Sequence, residues 1–274
     1  MNKTNIKSQC SFQLLVSTMN KSNYELERML HSNNISCNSL IINQCNHNIL
    51  DSNNICEKKK NVISLNEFGL SLSRNIAIEN SEADICLFAD DDISYIDNFA
   101  QLITNEFEKY PAYDIIIFYI NRSPRFVQKR IGRKKRINMI SSLGIISSQI
   151  AFRRKSIVDA NIRFDIQFGS GSNHYMCGEE NIFLIDCLKK GMKILYIPLV
   201  IGTMDDSDSS WFKGFDENYF VSKGAIFHRL FPIFGFVLIG TYALVKYNEY
   251  KGDINISNSV KQMIKGYREH SKDI

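Results

Sequence analysis

Short apolar runs alternate with amphipathic stretches along the first half of the chain, and that alternation predicts its fold class. Ser11 to Ser17 (SFQLLVS) is a compact apolar run stopped by the turn-prone Thr18-Met19-Asn20, which predicts a strand, and Tyr24 to Leu30 follows with helical spacing. Asn38 to Asn43 (NSLIIN) and Asn61 to Leu65 predict two further strands, while Leu70, Ile76 and Ala77 predict a helix ending near Asn80. Asp84 to Ala89 (DICLFA) is a strand candidate that halts abruptly at three aspartates. A helix around Phe99 to Phe107 and a strand over Asp114 to Ile120 (DIIIFYI) complete the series. Strands separated by helices imply a mostly parallel sheet covered on both faces.

Beyond Asn121 the rhythm changes. A basic segment is followed by a strand at Ser148 to Phe152, a short helix near Ser156, and a Gly/Ser-rich loop from Phe164 to Asn173. Gly178 to Gly191 (GEENIFLIDCLKKG) sets Ile182, Ile185 and Leu188 on one face and closes with lysines and glycine, the pattern of a capped amphipathic helix. Lys193 to Ile201 reads as another strand. Leu230 to Val245 carries no charge, yet it is shorter than the roughly 20 residues of a spanning helix. His228, Arg229 and Lys246 bracket it, as expected for a segment buried in a core or lying in a membrane interface. The layout implies a main unit over residues 1–213 and a helical extension over 214–274, which positions it against a membrane.

Composition narrows the classes. With 44% hydrophobic residues, 14 glycines and 4 prolines in 274 residues, collagen-like and disordered chains are disfavoured. The formal charge is +4, but Arg122 to Arg136 holds eight Lys/Arg and no acid; taking those eight from +4 leaves −4 for the rest. An acidic body with one basic loop argues against a nucleic-acid partner, whose binding face would be broadly basic. The loop suits an anionic membrane surface or the pyrophosphate of a lipid-linked acceptor, with a plain solvated loop as the alternative. Seven cysteines without a CxxC pair argue against a disulfide framework and a zinc site, and the N-terminal residues contain no apolar run suited to a signal peptide. A reducing cytosol is the expected compartment.

Three groups of residues carry chemistry. Asp90, Asp91 and Asp92 end a strand at the carboxyl edge of the expected sheet, where open α/β folds bind ligands. Three adjacent carboxylates repel one another, and a hard divalent cation such as Mg²⁺ or Mn²⁺ relieves that cost; an Asp-rich helix start ahead of Ile96 is the structural alternative. Arg74, in Gly69-Leu70-Ser71-Leu72-Ser73-Arg74-Asn75, offers a planar fork for a carboxylate or a phosphate, unless it is merely a solvated surface residue. Glu179 and Glu180 open the amphipathic helix. Acids there favour the helix dipole, and a carboxylate delivered by a polar loop can also take a proton from an attacking hydroxyl.

Taken in order, the LLVST strand, GLSLSRN, the strand ending in DDD, and FDIQFGSG followed by GEEN resemble the inverting glycosyltransferases of family 2, over roughly Ser11 to Trp211. The resemblance implies an α/β fold of GT-A type, a Rossmann-like mixed sheet with helices on both faces, plus a C-terminal helical extension. It implies that Ser17, Thr18 and Met19 cradle the nucleoside base, Arg74 helps hold the donor diphosphate, and Asp90 and Asp91 approach the ribose or sugar. Asp92, with Asp90, then binds Mn²⁺ or Mg²⁺ bridging the diphosphate; Glu180 is the general base and Glu179 contacts the acceptor. Trp211 and the loop before it resemble a flexible region closing over the donor.

Two positions depart from the family pattern. Where many relatives carry an acid to read the base, this chain has Asn43-Gln44-Cys45-Asn46, leaving Gln44 to hydrogen-bond it. Where many supply a third, histidine metal ligand, Gly202-Thr203-Met204-Asp205-Asp206 has none, so Asp205, Asp206 or water stands in. The implied activity is metal-dependent inverting transfer of a sugar from a nucleotide-sugar, a UDP-sugar first, to a hydroxyl of a glycan or lipid-linked acceptor in surface polysaccharide synthesis, on the cytoplasmic leaflet of the membrane. Two alternatives stand beside it. A nucleotidyltransferase would use the same carboxylates but needs a basic phosphate loop, for which Ser17 to Lys21 offers only Lys21. A catalytically silent module would bind glycan or lipid.

Overall fold

The computed structural model describes residues 10–46, 60–122, 132–204 and 214–272. β1 (Phe12–Met19) leads through α1 (Asn23–Ser32) to β2 (Ser39–Gln44). Ser22 caps α1 by a reciprocal box with Glu25. Next come β3 (Lys60–Leu65), α2 (Leu70–Asn80) and β4 (Ile85–Asp90). Asp91 and Asp92 form a turn into a short strand, β5 (Ile93–Tyr95), before α3 (Phe99–Lys109) and β6 (Ile115–Asn121). The three aspartates therefore do not cap a helix: α3 starts at Phe99, after Asn98.

β7 (Lys135–Arg136), a single turn α4 (Met139–Ser142) and a 3₁₀ turn at Ser147–Gln149 precede β8 (Ile150–Arg153) and α5 (Arg154–Asp159). α6 (Glu179–Lys189) and β9 (Ile194–Met204) close the sheet. Its order is β3-β2-β1-β4-β8-β6-β9-β5, with β7 on β9. β1 runs parallel to β2 and β4, and β6 parallel to β9, while β8 lies antiparallel between β4 and β6. The sheet is thus mixed, and its parallel half carries the first three strand–helix repeats.

Period-two alternation divides the core between the two faces. Leu14, Val16, Leu87 and Ala89 face one cluster with α1 and α3, whereas Leu15, Cys86 and Phe88 face another with α2, α5 and α6. Burial on both faces is why these strands read as continuous apolar runs.

The C-terminal part is helical: α7 (Glu217–Leu230), α8 (Gly235–Val245), α9 (Tyr247–Tyr250) and α10 (Ile256–His270). Ala225, Ile226 and Leu230 of α7 pack on Ile182 and Ile185 of α6, tying this layer to the sheet. The uncharged Leu230–Val245 run is divided by a turn containing Pro232, and among the described residues no helix is long and apolar enough to cross a membrane. α7 and α10 meet backbone to backbone. A Cβ on Gly224 would collide with the Met263 carbonyl, and one on Gly266 with the Val221 carbonyl. Gly224→Ala should therefore cost about 1–3 kcal/mol, the usual range for overpacking, and lower the urea midpoint. A wild-type midpoint would mean that the two helices do not touch there.

Candidate functional site

The parallel register sets the site. Ser17 at the end of β1 lies opposite Asp90 of β4, while Thr18 and Met19 lie opposite Asn43 and Gln44 of β2. Thr18 Oγ1 donates to Asp91 Oδ2 at 2.6 Å, and Lys21 Nζ pairs with the same oxygen at 3.0 Å. Asn33 Nδ2 donates to the Asp91 carbonyl at 2.8 Å, fixing the turn from the other side. Asp92, one residue on, is exposed at the mouth, and so is Met19.

The GLSLSRN motif forms the opening turns of α2, and its polar side chains are ties. Gly69 holds φ at +139°, a conformation L side chains rarely adopt. Its N–H donates to Gln44 Oε1 at 2.7 Å, and the Leu70 N–H donates to the Ser170 carbonyl at 2.9 Å. Ser71 Oγ donates to the Phe168 carbonyl, Ser73 Oγ to Ser17 Oγ at 2.8 Å, and Asn75 clamps the Phe164 backbone with both its amide groups. The opening turns of α2 thereby hold β1 and the FDIQFGSG loop together.

Arg74 is the hub. Only 2% exposed, its guanidinium reaches Asp90 Oδ1 at 3.2 Å, Glu179 Oε1 at 3.3 Å and the Ser147 hydroxyl, with the Phe164 ring centroid 5.4 Å from its Cζ. This fork joins the carboxyl end of β4 to the first residue of α6, elements far apart in sequence. The guanidinium expected at the donor diphosphate is turned instead to the protein's own carboxylates. The physical reason is that the buried Glu179 needs a cation where water is excluded, and the partly exposed Asp90 shares it.

Glu179 and Glu180 differ in the same way. Glu179 is buried on Arg74 and lies close under Gly169, so the carboxylate expected to contact an acceptor is an internal anchor. Glu180 has a buried Oε2 without a hydrogen-bond partner. Burial, reinforced by the neighbouring Glu179, pushes its carboxyl up to about 8, against a smaller opposing pull from Arg74. Lys223 of α7, whose ammonium sits 5.1 Å from the Tyr219 ring centroid, adds positive charge acting on Glu180. Gly178, ahead of the pair at φ +100°, has no room for a Cβ beside Ile226 of α7. The C-terminal layer thus fixes the turn that presents Glu180.

The amides expected to read a base are also occupied. Asn43 holds the Lys21 peptide through both its side-chain groups, and Gln44 is buried on Gly69. For a divalent cation, the described residues offer the exposed Asp92 beside an Asp90 already paired to Arg74, and they contain no cluster of three metal-ligating side chains. That set fits an ion that arrives with phosphate oxygens and water, as Mg²⁺ commonly does with one or two carboxylates. Asp205, Asp206 and Trp211 lie outside the described residues. Lys21, Asn33, Ser147 and Lys223 join the neighbourhood with little warning from sequence: each is a single polar residue in an unremarkable context.

No protein-family model matches the chain, and no curated protein sequence matches it. Solved structures do. Crystal structures of Staphylococcus aureus TarS residues 1–349 superpose at TM-score 0.64 in complex with UDP-GlcNAc (13% identity, 95% of this chain and 80% of that one) and 0.61 in complex with UDP (14% identity, 96% and 82%). A crystal structure of S. aureus TarS is matched at TM-score 0.57 over 95% of this chain and 43% of that one. At such identities the likeness speaks to the fold: a GT-A-type α/β architecture with a mixed sheet, helices on both faces and a helical C-terminal part.

Proposed function

We propose that this protein is a glycosyltransferase that moves a sugar from a nucleotide-sugar to a hydroxyl acceptor with inversion. The observation that carries the reading is the Arg74 fork, which holds the Asp90–Asp92 edge and the Glu179–Glu180 helix start in one site. A donor edge and a candidate base brought to one site are what a single displacement requires. UDP-GlcNAc, bound by TarS 1–349, is the first donor to test.

In this reading the nucleotide lies along the ends of β1 and β4, with Met19 as an apolar lip and Thr18, Lys21 and Asp91 as a pre-set polar floor. A divalent cation, Mn²⁺ or Mg²⁺, held by Asp92 and the donor diphosphate, supplies charge neutralisation for the leaving group. Asp90 and Asp91 keep the turn in place through Arg74 and Lys21. Glu180 takes the proton from the acceptor hydroxyl as it attacks the anomeric carbon on the face opposite the leaving diphosphate. A raised pKa suits that task, because a base poised near working pH both carries its charge and accepts a proton readily. The acceptor class is a glycan or lipid-linked saccharide of a surface polysaccharide.

A thermal-shift panel of nucleotide-sugars with Mn²⁺ tests donor recognition. A ligand present at about 100 times its Kd stabilises a native state by about 2.7 kcal/mol, a readily measured rise in Tm. UDP-sugars should raise Tm and purine nucleotide-sugars should not; a panel without any shift would reject the donor assignment.

A further inference from the structure

Two helices of the C-terminal layer present opposite kinds of surface side by side. α8 and α10 run antiparallel. Phe236, near the start of α8, packs tilted against Tyr267, near the end of α10, with ring centroids 4.1 Å apart, and Tyr250, beyond α8, bonds to Ser259 near the start of α10. The inner face of α8, Gly235, Ile239 and Ala243, is buried, Ile239 and Ala243 in a cluster with Met263 and Tyr267. Its outer side is bare. Ile233, Phe234, Val237, Leu244 and Val245 are between 68% and 82% exposed, and no charged residue occurs from Phe231 to Val245.

The outer face of α10 is the reverse. Lys261, Lys265 and Arg268 are exposed and recur at spacings of four and three, which on an α-helix places them in one narrow stripe, and the exposed Lys272 lies in the turn just past its end. The stripe lies opposite the buried positions Ser259, Met263, Gly266 and His270. Glu269 makes a 3.9 Å contact to Lys265, and as an exposed pair it offsets little of the charge. Both surfaces are separate from the site at the carboxyl edge of the sheet. The described part of the basic loop is directed elsewhere: Lys134 packs over Tyr110 beside Glu106, and Lys135 and Arg136 pair with β9.

We propose that this face docks on an anionic lipid bilayer, with the outer side of α8 entering the headgroup–acyl boundary and the α10 stripe lying on the phosphate layer. The charge pattern selects that occupant. A bare apolar patch alone fits a second copy of the chain equally well, but four cations with one weakly paired acid would then be brought against like charge or left in solvent. A negatively charged surface satisfies both helices together, by apolar burial and by attraction of about fivefold in binding per Lys or Arg.

Co-sedimentation of the full chain with vesicles tests this. Vesicles of equal parts phosphatidylcholine and phosphatidylglycerol should bind the protein, less so as salt is raised, and vesicles of phosphatidylcholine alone should bind it far more weakly. Combining Lys261→Gln, Lys265→Gln and Arg268→Gln should weaken binding by about a hundredfold. Val237→Ser with Leu244→Ser should also release the protein, and circular dichroism checks that both variants are folded. Should the serine variant misfold, the glutamine variant alone decides, because its substitutions are all on the exposed stripe. Failure of the folded wild type to bind anionic vesicles, or equal binding to both kinds, would overturn the assignment. So would a wild-type dimer that the serine variant makes monomeric while neither binds vesicles, which would give the patch to a second copy. Vesicle binding needs no turnover, so this result and the catalytic reading stand or fall separately.

Discussion

Replacing Glu180 with glutamine is expected to lower sugar transfer by about 10²–10⁴-fold, the usual scale for loss of a general base. The substitution keeps the shape of the side chain and removes only its capacity to take a proton. For the wild type, the rate should climb as pH rises toward about 8, because a carboxyl held neutral by burial becomes a base only as it ionises. Glu180→Gln should lose that limb of the profile. Stability gives an independent check. A carboxyl whose pKa is raised by folding contributes fully below its unfolded value of 4.5, and the contribution is lost as pH climbs to about 8. Glutamine suffers no such loss, so the variant should melt no earlier than wild type at pH 8. Near-normal turnover in the variant would remove Glu180 from the role.

Arg74→Met should be the most destabilising single change in the site. The guanidinium is buried with Glu179, with the partly exposed Asp90 on the other side of the fork, and removing one partner of a buried ion pair costs about 3–5 kcal/mol because the remaining charge is left uncompensated. Arg74→Lys should fall between, since an ammonium keeps the charge but cannot reach both carboxylates with a fixed fork. Chemical denaturation of the three proteins at neutral pH measures this. A methionine variant as stable as wild type at neutral pH would mean that the fork holds nothing together.

The parts of the fold that could be read from sequence are those whose burial is apolar and regular. β1, β2 and β4 are covered on both faces, so their runs are unbroken, and α6 shows its stripe and its glycine stop. α7 and α10 were legible only as an undivided helical extension because their closest contacts are built from glycine and histidine: Gly224 against Met263, Gly266 against Val221, and His228 bonded to His270 at 2.8 Å. Close backbone approach needs small residues, which leave no hydrophobic signature. β9 extends past the expected Ile201 to Met204 because β5, a three-residue strand too short to announce itself, pairs with its end.

At the site, residue types were legible and directions were not. Arg74, Glu179, Asp90 and Asp91 do converge on one edge, but sequence cannot say whether an arginine faces a ligand or carboxylates 16 and 105 residues away. The amides of Asn43 and Gln44 illustrate the same limit. Their hydrogen-bonding groups suit a base, yet the nearby backbone of Lys21 and Gly69 reaches them first. Ser71, Ser73 and Asn75 read as part of a functional motif, and each is a structural tie.

The central claim is that the Asp90–Asp92 edge binds a nucleotide-sugar and that Glu180 faces it as the base. Release of UDP from UDP-GlcNAc and related UDP-sugars, followed with Mn²⁺ for wild type, Asp92→Asn and Glu180→Gln, tests it most directly. Wild type should show slow metal-stimulated release that falls at least about tenfold in each variant while their folds persist. Equal release by all three proteins, or none by wild type with any donor, would contradict it.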